Sequence, residues 1–319
     1  MGGVTASLAV ELGRLRLPTP VVVASGCLGA AGEVAGLVDV RKAGGIVARS
    51  VTYSANKGAP GPRMAETPSG LISATGFQNP GAVEFTRELA DLVRIGVPVL
   101  ASVAGETVEE YHRVAAILAG VPGIAGLEAN LAFADAERGR RTFDSTPDQA
   151  GAAVAAVTRA TRLPVFAKMS AGGGDVVRVA HACMEAGAEG LSLINSIPAM
   201  AVQSVTGDDR FIAVDGRLSG PAIRPIAVRT VFEVAQAMPA APIFGVGGVG
   251  TAGDALEFMA AGAWAVQVGT AMMVNPSVLV EIAAEMLKHL QKHRLGSPAE
   301  LRGRVFAPAG TAPGARTLF

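Results

Sequence analysis

The 319-residue chain is half apolar, 17% charged and formally neutral, with 27 basic and 27 acidic side chains. Its length supports one large α/β domain or two smaller ones, and the charge balance provides no basic surface for nucleic acid. Two cysteines, Cys27 and Cys183, are too few and too isolated for a disulfide framework or a Cys-based metal site.

The N-terminal stretch lacks a basic region followed by an apolar one, and Gly, Pro or a charge interrupts every apolar run before it reaches a membrane-spanning length of about 18 residues. The expectation is a soluble cytoplasmic protein with no metal, membrane or nucleic-acid partner.

In chain order, the first expected strands are PVVVASG (20–26) and GIVARSVT (45–52). A Gly/Pro-rich stretch with short extended pieces follows at 53–80. Next come PVLASVAG (98–105) and TVEEYHRVAAILAG, a helix with a Thr107 cap, Glu110 three residues on and Gly120 as its stop, the pattern of a capping box. GLEANLA (126–132) is the fourth strand, and STPDQAGAAVAAVTRAT is a helix with Pro147 just inside a Thr146 cap. PVFAKMS (164–170) and GLSLINS (190–196) flank a helix that runs into glycine. A second long irregular stretch covers 197–219, and PIFGVGGV (242–249) and AVQVGTA (265–271) complete the set. His289 and His293 share a face of a solvated C-terminal helix, and the tail after about Arg304 reads as flexible.

These eight strands are continuous apolar runs, as parallel strands buried on both faces require. Alternating with helices, they predict an α/β fold, a single (β/α)₈ barrel over 1–304 followed by the 305–319 tail. A doubly wound open sheet is the competitor, weakened by the absence of a GxGxxG turn after the first strand. Both long stretches follow strand C-termini, the face where such barrels hold ligands, so they are expected to cover or shape a site.

Gly247-Gly248 and Gly269-Thr270 end the last two strands, where small residues let backbone N–H groups approach an anion; the competing reading is a pair of tight turns. A phosphate site is expected there. Lys168 and Arg49 are cations in otherwise apolar strands, which is costly unless each meets an anion or acceptor. Asn130 and Asn195 offer both donors and acceptors. Each of the four could serve alone as a cap or a snorkelling side chain. Together they suggest a polar lining for a planar ligand rich in carbonyls and ring nitrogens.

The segments ASGCLG (24–29), PRMAETPSG (62–70), GFQNPG (76–81), SVAGETVEEY (102–111), FAKMS (166–170), LINS (193–196), LSGPAIRPIAVR (218–229) and FGVGGVGTAGDALEFMAAGAWAVQVGTA (244–271) resemble the class 1 dihydroorotate dehydrogenases. The match is nearest to class 1B, the bacterial FMN subunit that pairs with an iron–sulfur flavoprotein. The resemblance implies FMN bound by Ala24, Ser25, Gly26, Ser50, Ser102, Asn130, Lys168, Ile194, Asn195, Gly220, Gly247, Gly248, Gly269 and Thr270. Lys168 would face the flavin N1/O2 edge and stabilise reduced flavin. It also implies a homodimer and a redox partner subunit.

The departures lie on the substrate side. Where the family carries Asn-x-Ser-Cys-Pro-Asn, this chain reads Asn130, Leu131, Ala132, Phe133, Ala134, Asp135, so the Cys that serves as base is Phe133. Substrate-binding Asn residues become Ser73 and Asp135, the substrate-side lysine becomes Arg49, and the third-strand Asn becomes Ser102. Substrate contacts are expected from Arg49, Ser73, Gly76, Phe77, Asn130, Phe133, Asp135, Asn195 and Ser196, and catalysis from Lys168, Arg49 and Asp135. Loss of a general base costs about 10²–10⁴ in rate. The leading expectation is therefore an FMN oxidoreductase acting on a different small, carboxylate- or amine-bearing substrate. A non-catalytic FMN-binding paralogue and a true dihydroorotate dehydrogenase with another base are the alternatives.

Overall fold

The computed structural model describes residues 5–28, 40–134, 141–171, 174–204 and 211–306, with the backbone alone at 203, 204 and 306. In chain order the strands are β1 (Val10–Leu12), β2 (Leu15–Leu17), β3 (Val21–Val23), β4 (Gly45–Val51), β5 (Met64–Thr67), β6 (Gly70–Ser73) and β7 (Val99–Val103). They continue with β8 (Gly126–Asn130), β9 (Val165–Met169), β10 (Gly190–Leu193), β11 (Ile197–Ser204), β12 (Phe211–Ser219), β13 (Ile243–Val246) and β14 (Ala265–Val268).

All eight strands expected from apolar runs form, and they close into one barrel in the order β3-β4-β7-β8-β9-β10-β13-β14. Every neighbouring pair is parallel. That order is the sequence order, so the open doubly wound sheet is excluded. Strands such as β7, β8 and β9 are buried at every position, because one face packs on helices and the other fills the barrel. Among the described residues no helix is long and apolar enough to cross a membrane.

The helix at Val108–Ala119 begins at Thr107, whose side chain accepts from the Glu110 backbone N–H, and its C-cap is Gly120. The capping box is only half formed: the Glu110 carboxylate accepts from the Glu106 N–H at 2.7 Å instead of returning to Thr107. The helix at Pro147–Ala160 has Pro147 at its start behind the Thr146 cap. A complete box, with no counterpart among the sequence expectations, occurs at Thr251–Asp254.

The antiparallel hairpin β1–β2 plugs the barrel. Leu12, Leu15 and Leu17 pack with Val22, Val47, Leu100, Phe166 and Phe244, closing the end at which the strands begin. At the other end, the two long irregular stretches are more ordered than their composition suggests. Their extended pieces join as a four-stranded antiparallel sheet, β11-β12-β6-β5, with Arg217 opposite Ser73 and Ser219 opposite Leu71. One face of this sheet buries Ala65, Ile72 and Val214; by alternation the other carries Ser73, Asp215 and Arg217. Of the expected tail, Arg304–Phe306 forms a short 3-10 turn, and the remainder lies outside the described residues.

Candidate active site

Strand alternation places Phe166 and Lys168 on the same barrel-facing side of β9, and likewise Ala265 and Gln267 on β14. Above the apolar plug the interior therefore turns polar. Lys168 Nζ stands 3.2 Å from Glu128 Oε1 and donates to Gln267 Oε1 at 3.1 Å. Glu128 Oε2 accepts from Ser192 Oγ at 2.8 Å and from Gln267 Nε2 at 2.7 Å. Glu128 and Ser192 are fully buried, and Lys168 is 5% exposed. An unpaired charge at this depth would be strongly unfavourable, so the fixed ion pair accounts for a lysine in an apolar strand. Glu128, Ser192 and Gln267 are not among the residues that the sequence singles out, although Glu128 interrupts an apolar strand just as Lys168 does.

Towards the strand C-termini a second set of polar groups forms a continuous chain. Arg217 Nε donates to Ser196 Oγ (3.0 Å), Ser196 Oγ to Asn195 Oδ1 (3.3 Å), Asn195 Nδ2 to Asn130 Oδ1 (3.0 Å) and Asn130 Nδ2 to Ser50 Oγ (3.0 Å). Ser50, having accepted from Asn130, can donate to Ser102, 2.8 Å away. Bonds running in one direction polarise one another, which fixes both amides. Ser102 itself is fully buried, so its described role is to support Ser50. Arg217, also unanticipated, is half-buried; burial pulls its guanidinium below the ordinary value, and the Asp144 charge offsets part of that effect.

These residues open onto one cavity of about 1290 Å³. It is lined by Ala24, Ser25, Gly26, Ser50, Asn130, Lys168, Ile194, Asn195, Gly220, Gly247, Gly248, Gly269 and Thr270 from the expected cofactor side, and by Arg49 from the expected substrate side. Ser73, Gly76, Phe77 and Ser196 also line it from the substrate side. Cys27, Glu66, Asp215 and Arg217, not anticipated, line it as well. The β11-β12-β6-β5 sheet supplies one wall, so residues more than a hundred positions apart in sequence meet across it.

The glycines at the ends of β12 and β13 are required by close approach. Gly220 (φ +94°), Gly247 (φ +121°) and Gly248 (φ +77°) all have left-handed backbone. A Cβ on Gly248 would stand 2.7 Å from Arg224 Cβ and 2.9 Å from the Gly220 carbonyl oxygen, and one on Gly220 would stand 2.9 Å from Gly70 Cα. Such a bare-backbone cradle, with the Thr270 hydroxyl bonded to Ser219 Oγ at 2.8 Å, fits a phosphate. The buried cation and paired amides beside it fit a polar planar ring.

Phe133 is buried at 5% exposure and does not border the cavity. Its ring packs at 4.7 Å, tilted 58°, on Phe77, and Phe77 borders the cavity instead, with a left-handed φ of +57°. The two rings thus form one wall, of which Phe77 is the face towards the cavity. Asp135 lies outside the described residues.

The only cysteine bordering the cavity, among the described residues, is Cys27. Burial pushes its thiol up to about 11, with the Lys168 charge drawing it partly back. At neutral pH it is a protonated thiol and cannot take a proton from a substrate. Iodoacetamide modification of Cys27, followed by mass spectrometry, is expected to stay slow through pH 9 and to accelerate only near pH 10–11. Rapid alkylation at pH 7.5 would contradict this assignment.

A family model described as dihydroorotate dehydrogenase matches residues 7–290. The chain is 44% identical over 303 residues to the dihydroorotate dehydrogenase B (NAD(+)), catalytic subunit, of Desulforudis audaxviator (strain MP104C), covering 95% of this chain and 98% of that relative. Proteins of the same description from Geotalea daltonii (strain DSM 22248 / JCM 15807 / FRC-32) and Geobacillus kaustophilus (strain HTA426) are each 41% identical. Both cover 93% of this chain, and 98% and 95% of their own lengths.

Proposed function

Because the chain belongs to the dihydroorotate dehydrogenase family, we propose that it is an FMN-dependent oxidoreductase acting on a small carboxylate- or amine-bearing substrate other than dihydroorotate. The observation that carries this reading is Phe133: the position to which the resemblance assigns the proton-accepting Cys holds a hydrocarbon ring packed on Phe77. Cys27, with its thiol raised to about 11, is no substitute.

FMN, when bound, supplies the acceptor or donor of a hydride. The chain's own residues would then act as follows. Gly220, Gly247 and Gly248 leave room for the phosphate. Lys168, held by Glu128 and Gln267, presents a fixed positive charge to the electron-rich edge of the ring. Asn130 and Asn195, oriented by the chain of bonds from Arg217, offer donors and acceptors between ring and substrate. Arg49 provides a planar fork for a carboxylate. Asp135 is proposed as the proton donor or acceptor, or as the partner of a substrate amine. The relatives are named as catalytic subunits, which supports a redox partner subunit here too, alongside the homodimer that the resemblance implies.

Anaerobic stopped-flow mixing of the flavin-loaded protein with dihydroorotate tests the proposal. Flavin bleaching is expected at least about 10²-fold slower than in a relative that retains its base. Bleaching at the relative's rate would refute the changed substrate.

A further inference from the structure

A second cavity, of about 420 Å³, shares a lining residue with the one described above. Arg217 borders both. The smaller one is walled by Arg141 from the segment leading to Phe143–Ser145, by Thr142 and Ser145, and by Ser170 at the end of β9. Its described lining thus contains two guanidinium groups and three hydroxyls, and no carboxylate. The larger cavity, by contrast, mixes Arg49 and Lys168 with Glu66 and Asp215.

The guanidinium of Arg217 is held in place before any ligand arrives. Nε donates to Ser196 Oγ and Nη2 to Ser170 Oγ, each at 3.0 Å, and Nη2 also donates to the Ser196 carbonyl. Behind it, the buried Asp144 accepts from the Ser170 backbone N–H at 2.6 Å and offsets part of the cost of burying the cation. Among the described residues, Arg141 and Arg217 are positive and Asp144 negative, a formal charge of +1. The Thr142 and Ser145 hydroxyls are 3.0 Å apart; one donates to the other, and the acceptor's own proton must point elsewhere. With Nε and both Nη2 hydrogens so engaged, the two Nη1 N–H groups are left for an oxyanion, and a guanidinium immobilised by its neighbours loses little freedom when it takes one up.

We propose that this cavity is an oxyanion subsite continuous with the substrate cavity, which receives a carboxylate or phosphate group on an arm of the substrate that reaches past Ser196. The inference rests on the changed-substrate reading and narrows it to molecules with an anionic group remote from the reacting carbon. Arg217 joins this subsite to the flavin side through Ser196, so filling it would also tighten the Asn195–Asn130 chain.

Inorganic phosphate is the probe, and the test needs no turnover, so it can fail or succeed independently of the dihydroorotate experiment. In the FMN-loaded protein, where the cofactor's phosphate occupies the glycine cradle, ³¹P line broadening of added phosphate is expected to saturate in the millimolar range. Arg217→Gln is expected to weaken it at least 10-fold, and Arg217→Lys less. Arg141→Gln, at an exposed position, is expected to weaken it several-fold. Arg49→Gln is expected to leave it within 2-fold. Absence of saturable broadening, affinity unchanged from the parent in both Arg217→Gln and Arg141→Gln, or loss confined to Arg49→Gln would overturn the assignment.

Discussion

Lys168→Met is expected to destabilise the flavin-free protein by about 3–5 kcal/mol, because it leaves the Glu128 carboxylate buried without its counter-charge. The magnitude follows from where the pair sits: Glu128 is fully buried and Lys168 nearly so, with side chains 7% and 0% exposed for lysine and glutamate respectively. Ser192 and Gln267 would still donate to Glu128 Oε2, but Oε1 would lose the contact at 3.2 Å. The double variant Lys168→Met/Glu128→Gln removes both charges and is expected to recover most of the loss, since well-packed neutral replacements of buried pairs are often tolerated. Urea unfolding followed by far-UV circular dichroism measures both. If the single variant does not accumulate in soluble form, the double variant should. A single variant as stable as the parent would show that the pair is not held as described. The same two proteins separate stability from redox tuning. The single change shifts the local charge by −1 and should make the bound flavin harder to reduce, whereas the double leaves the charge unchanged and should restore the potential towards that of the parent.

Gly248→Val is expected to weaken FMN binding at least 100-fold, equivalent to about 2.7 kcal/mol. Two costs combine. The residue's φ of +77° is a conformation that β-branched residues rarely adopt, and its Cβ would fall 2.7 Å from Arg224 Cβ and 2.9 Å from the Gly220 carbonyl oxygen. Neither neighbour is the loose end of a flexible side chain, so the cradle must open or the ligand must move. Gly253→Ala is the control: its added Cβ meets nothing nearer than Thr251 Oγ1 at 3.5 Å, and affinity should stay within about 2-fold. Quenching of FMN fluorescence on titration gives both constants. An unchanged affinity for Gly248→Val would place the phosphate elsewhere.

Periodicity carried the barrel. Eight continuous apolar runs separated by helical segments define it, and runs such as VFAKM and GLEAN became strands buried at every position. The strand ends that we propose hold the cofactor stood out in the same way, because glycines at strand ends and a lysine inside an apolar strand are local anomalies with few physical explanations. Glu128 is an equal anomaly, but it lies two residues before Asn130, deeper in the barrel than the strand ends where ligands bind. A cation and an anion in neighbouring apolar strands form a signal that the amino-acid order alone carries.

The substrate side was less legible. The two Gly/Pro-rich stretches gave no strong alternation, because the sheet they build buries only a small apolar cluster, Ala65, Ile72 and Val214, while apolar side chains such as Met64, Met200 and Phe211 stay exposed. Without their pairing, Arg217 is one more arginine in a loop-like segment. Pairing sets it opposite Ser73 and in the lining of two cavities.

The amino-acid order by itself determined the barrel, its strand sequence and the glycine cradle, because these depend on local periodicity and on the steric demands of single positions. The tertiary structure alone decided that Phe133 stands behind Phe77, that Ser102 supports Ser50, and that Arg217 meets Ser170 and Ser196. Those contacts join segments far apart in the chain, and their geometry exists only once the barrel has closed.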